Sequence, residues 1–143
     1  MNRSDWTLLA LSESPDGKLS PVQVQKTLFL LGQRRRKDVG RGYYVFKPYN
    51  YGPFDPNIYS DIRILELEDL VRSVQAEHGS YREYQITPKG RARAGALSKG
   101  ASKRAREYLA KVTKWAREVP FSHLVRTIYE MYPSMRKHSV FQD

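Results

Sequence analysis

The clearest helical pattern of apolar residues begins after Ser20. Ser20 and Gln23 have the spacing of a capping box, and Pro21 occupies the first helical position. Together they predict a helix that runs to about Arg36. The apolar positions of this helix are Val24, Leu28, Phe29, Leu30 and Leu31. Because they cover a wide face at helical spacing, we expect this helix to lie at the centre of the core.

Two more helices are predicted on either side of this central one. Asp5 is expected to cap a short first helix that carries Trp6 on its apolar face. Asp55 as the cap and Pro56 at the first helical position predict a third helix, which ends near Glu68. The apolar positions of the third helix, spaced i, i+4 and i+7, are Ile58, Ile62 and Leu65.

Aromatic and β-branched residues mark the predicted strands. Residues 43–47 favour a short strand, and the proline- and glycine-containing stretch 48–54 favours a structured turn. Two further strand-like runs, 70–77 and 81–87, are separated by the sequence His-Gly-Ser at 78–80. This arrangement predicts a β-hairpin.

A weak helical segment follows the hairpin. Thr87 and Pro88 are typical of a cap and a first helical turn. Glycine then recurs at five-residue intervals, at Gly90, Gly95 and Gly100, so any helix here is expected to be frayed or kinked.

Two amphipathic helices complete the chain. The first ends at Pro120, and the second is predicted over about 121–132. The apolar seam of the first has heptad-like spacing and consists of Ala101, Ala105, Tyr108, Val112, Trp115 and Val119. This seam either packs on the last helix or forms a homodimer interface, and Tyr108 and Trp115 are the expected anchors in both cases.

The order of these elements predicts the fold class. Two helices, a short strand, a third helix and a hairpin favour a mainly α protein with a small β-hairpin, arranged as a winged helix-turn-helix core with added C-terminal helices. The winged-helix core is assigned to residues 1–90, and the basic helix and packing helix to residues 91–143. Both parts are expected to form one domain.

Several short motifs resemble known families. The resemblance rests on QKTLFLL at 25–31, YGPF at 51–54, the apolar positions of 62–71, the stretch 84–90 and the late stretch 120–133. Together they are similar to the YwgA-like bacterial proteins and the SocA-type antitoxin domains, also called Panacea. The ending TPKG at 87–90 also resembles PadR-like and MarR-like transcriptional regulators. The resemblance implies a winged-helix core and a role such as neutralising a toxin by protein contact, and it carries over no catalytic residue.

Composition narrows the class of protein. The chain has 143 residues and no cysteine, which excludes disulfide scaffolds and cysteine-based zinc sites. It has neither an apolar signal segment nor a long apolar span, so we expect a cytoplasmic protein without a membrane partner. It contains no metal-binding, P-loop or dinucleotide-binding motif, and its three histidines are scattered. We therefore expect a protein that is not an enzyme and needs no cofactor or metal.

The net charge of +10 is segregated along the chain. Residues 26–54 carry +6 and residues 85–117 carry +9, whereas residues 55–84 between them carry −4. Two basic blocks on a winged-helix framework favour binding to a polyanion, and DNA is favoured over RNA. A solvated, solubilising surface is the simpler alternative.

The candidate nucleic-acid contacts fall into two groups. In a DNA-reading winged helix the third helix enters the major groove, and here it offers Asn57, Ser60 and Arg63. The same helix region is acidic, with Asp55, Asp61, Glu66, Glu68 and Asp69, which disfavours ordinary docking on DNA. Contacts to backbone phosphates are expected instead from the basic blocks, namely Arg34, Arg35, Arg36, Lys37, Arg41, Lys89, Arg91, Arg93, Lys103, Arg104, Arg106, Lys111 and Lys114.

The alternative function is that of an antitoxin or adaptor domain. In this case the aromatic turn with Tyr49, Tyr51 and Phe54 and the acidic third helix are expected to lie in a protein interface, and Tyr108 and Trp115 are further candidates for such contacts. The same aromatic residues could instead stack on unpaired bases or simply pack inside the chain. The sequence names neither the target nor the partner.

Overall fold

The structure is a computed structural model that describes residues 1–142. Residue 143, at the end of the predicted C-terminal part, lies outside the described residues. The α-helices are α1 (Arg3–Glu13), α2 (Pro21–Arg34), α3 (Arg36–Val39), α4 (Asn57–Leu67), α5 (Pro88–Leu97), α6 (Lys103–Glu118) and α7 (Phe121–Met131). The strands are β1 (Lys18–Leu19), β2 (Lys47–Tyr49), β3 (Gly52–Phe54), β4 (Val71–Gln75) and β5 (Arg82–Ile86).

The helices α1, α2 and α4 form the core together with a three-stranded antiparallel sheet. The sheet has the order β1-β5-β4, so the short strand after α1 pairs with the second strand of the wing hairpin. Ile58, Ile62 and Leu65 of α4 are buried as their spacing predicted. The predicted fold class, a mainly α protein with a small β-hairpin, is confirmed.

The starts of α2 and α5 agree with the sequence, whereas those of α1 and α4 differ from it. Ser20 accepts a hydrogen bond from the Gln23 backbone, and the Gln23 side chain accepts one from the Ser20 backbone, which confirms the capping box. The cap of α1 is Asn2 rather than Asp5, which forms the other half of that capping box. Helix α4 begins at Asn57, one residue later than predicted, although the Asp55 carboxylate accepts a hydrogen bond from the Asn57 backbone as the predicted cap would.

The segment between α2 and α4 differs from the predicted strand and turn. The predicted helix to Arg36 is broken at Arg35 into α2 and the short α3. The predicted strand at 43–47 is wrong, since β2 begins only at Lys47 and pairs with β3 in a separate two-stranded sheet. Before it, the Val45 backbone donates to the Asp55 carboxylate instead of to a neighbouring strand. The predicted turn at 48–54 is in fact this second hairpin.

Helix α5 is continuous over Gly90 and Gly95, so the expected kink is not found there, and a 3-10 turn at Ser98–Gly100 follows it. It runs from Pro88 to Leu97 and is capped by Thr87, whose hydroxyl accepts from the Gly90 backbone. A Cβ atom at Gly90 would lie 2.1 Å from the carbonyl oxygen of Leu70. Glycine at this position is therefore required by close packing of α5 against the start of the wing.

The apolar face of α6 packs inside the chain, on α1 and α2. Part of the seam also packs on α7, as one of the two predictions had it, because Val112 shares an apolar cluster with Ile128 of α7. Ala105 and Val112 are buried as predicted, whereas Leu109 and Ala116 are buried in place of their predicted neighbours Tyr108 and Trp115. Tyr108 and Trp115 flank this face and pack on a second apolar cluster with Phe29 and Ile128.

Candidate nucleic-acid interface

The two basic blocks meet where α3 lies beside the N-terminal half of α6. The Ser102 side chain, just before α6, lies close to Asp38 of α3 and is the main cause that lowers the pKa of Asp38. The charge of Arg104 also lowers the pKa of Asp38, and Arg34 lies close enough to Tyr108 of α6 to oppose the rise in the pKa of that tyrosine caused by burial. Residues that are about seventy positions apart in sequence thus share one surface.

The exposed cations of this region define what we call the basic surface. It consists of Arg34, Arg36, Lys37, Arg41, Lys103, Arg104 and Lys111, all of which are exposed. Asp38 is engaged by Arg35 at 2.6 Å, and Glu107 lies 3.8 Å from Lys103 in an exposed pair. The carboxylates within the region are thus each next to a cation, which leaves an excess of positive charge facing solvent.

The remaining predicted phosphate contacts lie apart from the basic surface or are withdrawn from solvent. Arg106 is half-buried beside Glu13 of α1, and its Nε atom is buried without a partner. Lys114 is exposed farther along α6. Lys89, Arg91 and Arg93 are exposed on α5, and the Lys89 ammonium donates to the Glu68 backbone carbonyl at the end of α4.

Helix α4 presents less acidic surface than its sequence suggests. Asn57, Ser60 and Arg63 are exposed, as a reading helix requires. Asp55 and Asp61, however, are buried, so the expectation that both would repel phosphate is wrong. The exposed carboxylates are confined to the C-terminal end, at Glu66, Glu68 and Asp69.

Asp61 is held by partners from two other segments. Its carboxylate accepts from Arg3 Nε at 2.8 Å and from the Tyr44 hydroxyl at 2.7 Å. The Tyr44 hydroxyl also contacts the Thr7 hydroxyl at 2.7 Å, and because Tyr44 donates to Asp61, Thr7 is the donor in this second bond. The network fixes α4 to α1 and satisfies a charge that would otherwise be costly to bury.

The motif residues near the start of α2 hold the second hairpin. The Gln25 amide donates to the Asp55 backbone carbonyl and accepts from the Asp55 backbone N–H, both at 2.9 Å. Lys26 donates to the Pro53 carbonyl at 3.2 Å. The QK pair at 25–26 and the YGPF motif at 51–54 therefore meet in space as a structural connection rather than as an exposed site.

Lys26 is the most unusual charged residue of the core. Only 3% of its surface is exposed, and Pro53 is its hydrogen-bond partner. Burial lowers the pKa of its ammonium from 10.5 to about 7. No local pattern indicates this burial, because Lys26 stands between the polar residues Gln25 and Thr27.

The outward face of α4 also carries two large apolar side chains. Ile64 is 55% exposed and Leu67 is 83% exposed. Helical spacing places them beside Ser60, away from the buried positions. Side chains of this kind do not hydrogen-bond to base edges, and the sequence analysis did not single them out.

The predicted aromatic turn is a stacked pair on the second hairpin. Tyr49 and Phe54 stack with their ring centroids 4.7 Å apart, and Tyr51 makes an edge contact with Phe121 of α7 at 5.2 Å. Tyr49 and Tyr51 are each about half exposed, whereas Phe54 is partly covered by Tyr59. The rings thus contribute mainly to packing between the hairpin and its neighbours, and leave the Tyr49 and Tyr51 edges on the surface.

Comparison with known proteins finds no matching family model, no matching curated protein and no matching solved structure. The resemblance to YwgA-like and SocA-type proteins therefore stays a prediction. Within residues 1–142, no helix combines the length and apolar character needed to cross a membrane.

Proposed function

We propose that this protein binds duplex DNA through its basic surface, mainly by contacts with backbone phosphates. The observation that supports this is that the two basic blocks come together near Asp38 and Tyr108 and that the cations of the basic surface are exposed. Arginine and lysine side chains arranged in this way neutralise phosphates and release counterions. They position a duplex without reading its sequence.

The position of the basic surface argues against ordinary recognition by the third helix. Helices α4 and α6 both pack on α1, and they make no extensive contact with each other. We therefore do not expect a duplex held by the basic surface to receive Asn57, Ser60 and Arg63 in its major groove. We accordingly expect low sequence specificity.

Titration of a labelled duplex at several salt concentrations tests the proposal. If about six phosphates are contacted, the logarithm of affinity falls with the logarithm of salt with a slope of about −5. Absence of binding at ~50 mM salt, where phosphate contacts are strongest, would contradict the proposal.

Two sets of variants locate the contacts. Replacing Arg36, Lys37 and Arg104 by glutamine removes three cations of the basic surface, so the slope is expected to shrink by about three. The matched set replaces Lys89, Arg91 and Arg93 on α5 by glutamine and removes the same charge. An equal loss from both sets would mean that net charge, and not the basic surface, drives binding.

A second candidate function is contact with a protein partner through α4. The exposure of Ile64 and Leu67 favours it, since large apolar side chains on an outward helix face are typical of interfaces. Co-expression with the product of the adjacent gene tests this function. Leu67→Glu is expected to abolish co-purification, whereas charge reversal at Lys103, Arg104 and Lys111 is expected to leave it intact and to abolish DNA binding.

A further inference from the structure

A cleft lies between the wing and the junction of α6 with α7. It has a volume of about 670 Å³, and the start of α2 near Gln23 also lines it. Glu77, Tyr81 and Glu83 line it on the wing side, and Arg117 and Phe121 line it on the opposite side. This volume lies within the range of small-molecule sites, roughly 300–1,000 Å³.

The cleft is acidic although the protein carries a charge of +10. Arg117 is its one lining arginine or lysine, and it is already engaged. The guanidinium contacts Glu83, Asp16 at 2.6 Å and the Gln23 side chain at 3.0 Å. Glu83 and Asp16 therefore neutralise this arginine, and the exposed Glu77 adds a further negative charge next to His78, which also lines the cleft.

Aromatic rings stand on both sides of the cleft. Tyr81 is 52% exposed on the wing, and Phe121 is 43% exposed at the start of α7. Both rings are fixed by neighbours, because Tyr81 lies against Gly79 and Phe121 makes edge contacts with Tyr51 and Phe141. Exposed ring faces beside carboxylates attract organic cations, by cation–π and charge interactions together.

We propose that this cleft binds a small organic cation with an aromatic or aliphatic body. The body lies between Tyr81 and Phe121, and the cationic group faces Glu77. The hydrogen-bonded Arg117 holds the wing, the start of α2 and the β1 turn in place, so the cleft exists before the ligand binds. The site is independent of the basic surface, and its test does not depend on DNA binding.

Titrations of the isotope-labelled protein followed by NMR provide the test, with tryptamine as the cationic probe and tryptophol as its neutral analogue. Tryptamine is expected to shift the amide signals of residues 77–83 and 119–124 saturably. Replacing the amine by a hydroxyl is expected to weaken binding at least fivefold. Equal affinity for the two probes, or shifts located elsewhere, would overturn the proposal.

Variants separate the role of the cleft from that of the fold. Glu77→Gln and Tyr81→Ser alter exposed positions and are each expected to weaken tryptamine binding about fivefold while leaving the spectrum of the remaining chain unchanged. Tyr49→Ser, which alters an exposed ring outside the cleft, is the matched control and is expected to have no effect. A capped lysine-containing peptide that binds at least tenfold tighter than tryptamine would assign the cleft to a protein partner and overturn the small-ligand proposal.

Discussion

The basic surface and the outward face of α4 differ in both charge and anchoring. The basic surface is shared by the segment around α3 and by α6, and the buried side of α6 is apolar and packs on α1 and α2. Helix α4 is also fixed by buried polar groups, since Asp61 is bound by Arg3 and Tyr44. The charges of α6 are therefore free to face solvent, whereas part of the charge of α4 is used inside the protein.

This difference explains why the net charge of the sequence around α4 is a poor guide to the charge on the surface of that helix. The net −4 of residues 55–84 suggests an acidic reading helix. Because Asp55, Asp61 and Glu83 are buried with partners, much of that charge never reaches the surface. What does reach the surface of α4 is a mixed face with Ser60, Arg63 and two large apolar side chains.

The largest effect is expected when the polar anchor of α4 is removed. Asp61→Ala leaves the buried Tyr44 hydroxyl and the partly exposed Arg3 without their acceptor. An orphaned buried hydroxyl costs about 1–3 kcal/mol of unfolding free energy, and the charged hydrogen bond of Arg3, reduced by its exposure to solvent, adds about 1–2 kcal/mol. Urea denaturation followed by circular dichroism measures the loss. Arg63→Ala, at an exposed position of the same helix, is the control and is expected to change stability by less than about 0.5 kcal/mol. A loss below about 1 kcal/mol for Asp61→Ala would show that the network does not anchor α4.

A smaller loss is expected where α5 meets the start of the wing. Gly90→Ala places a methyl group against the Leu70 carbonyl, and overpacking of this kind costs about 1–3 kcal/mol. Gly95→Ala is the matched control, because a Cβ atom there meets open space in the same helix. It is expected to raise stability by up to about 1 kcal/mol. Thermal unfolding measures the stability of both variants. Equal stability of Gly90→Ala and Gly95→Ala would contradict the close approach at Gly90.

The helix positions, but not the assembly of the surfaces, could be predicted from local sequence. The capping box at Ser20 and the wing hairpin depend on neighbouring residues, so the sequence contained the information. The burial of Asp61 depends on Arg3, which is 58 positions away, and no local pattern indicates such a partner. The basic surface could not be predicted from local sequence either. The sequence shows where the arginines and lysines are, but not which of them lie close together in the folded chain.

The stability of the protein is expected to rise with pH above about 7 because of Lys26. Its pKa is about 7 in the folded state against 10.5 as the ordinary value, so the unfolded chain binds more protons between these two limits. The contribution to the free energy of unfolding therefore increases with pH in this window, by up to about 1.4 kcal/mol per pH unit. Urea titrations between pH 7 and about pH 9 measure it.

Two variants isolate this contribution. Lys26→Met removes the titrating group and is expected to flatten the pH dependence, whereas Lys37→Met, at an exposed position, is expected to preserve it. The window stops near pH 9 because burial raises the pKa of Tyr84 and of Tyr108 to about 12. The contribution of these two tyrosines to the free energy of unfolding decreases only when the pH rises above about 10, the ordinary pKa of a tyrosine. A wild-type curve that falls between pH 7 and 9 would contradict the assignment.

The smallest effect on stability is expected for the apolar side chains that give α4 its distinct surface. Leu67 is 83% exposed, so Leu67→Ala removes few contacts and is expected to change the unfolding free energy by less than about 0.5 kcal/mol. Leu65→Ala, two positions earlier but buried, is the matched control and is expected to cost about 2–5 kcal/mol. Duplex affinity of Leu67→Ala is expected to equal that of the wild type, because the basic surface lies on other helices. If Leu67→Ala changes neither stability nor duplex affinity, Leu67 is available for contact with a protein partner. A loss of duplex affinity would instead show that α4 contacts the DNA, so that α4 and the basic surface would form one binding surface.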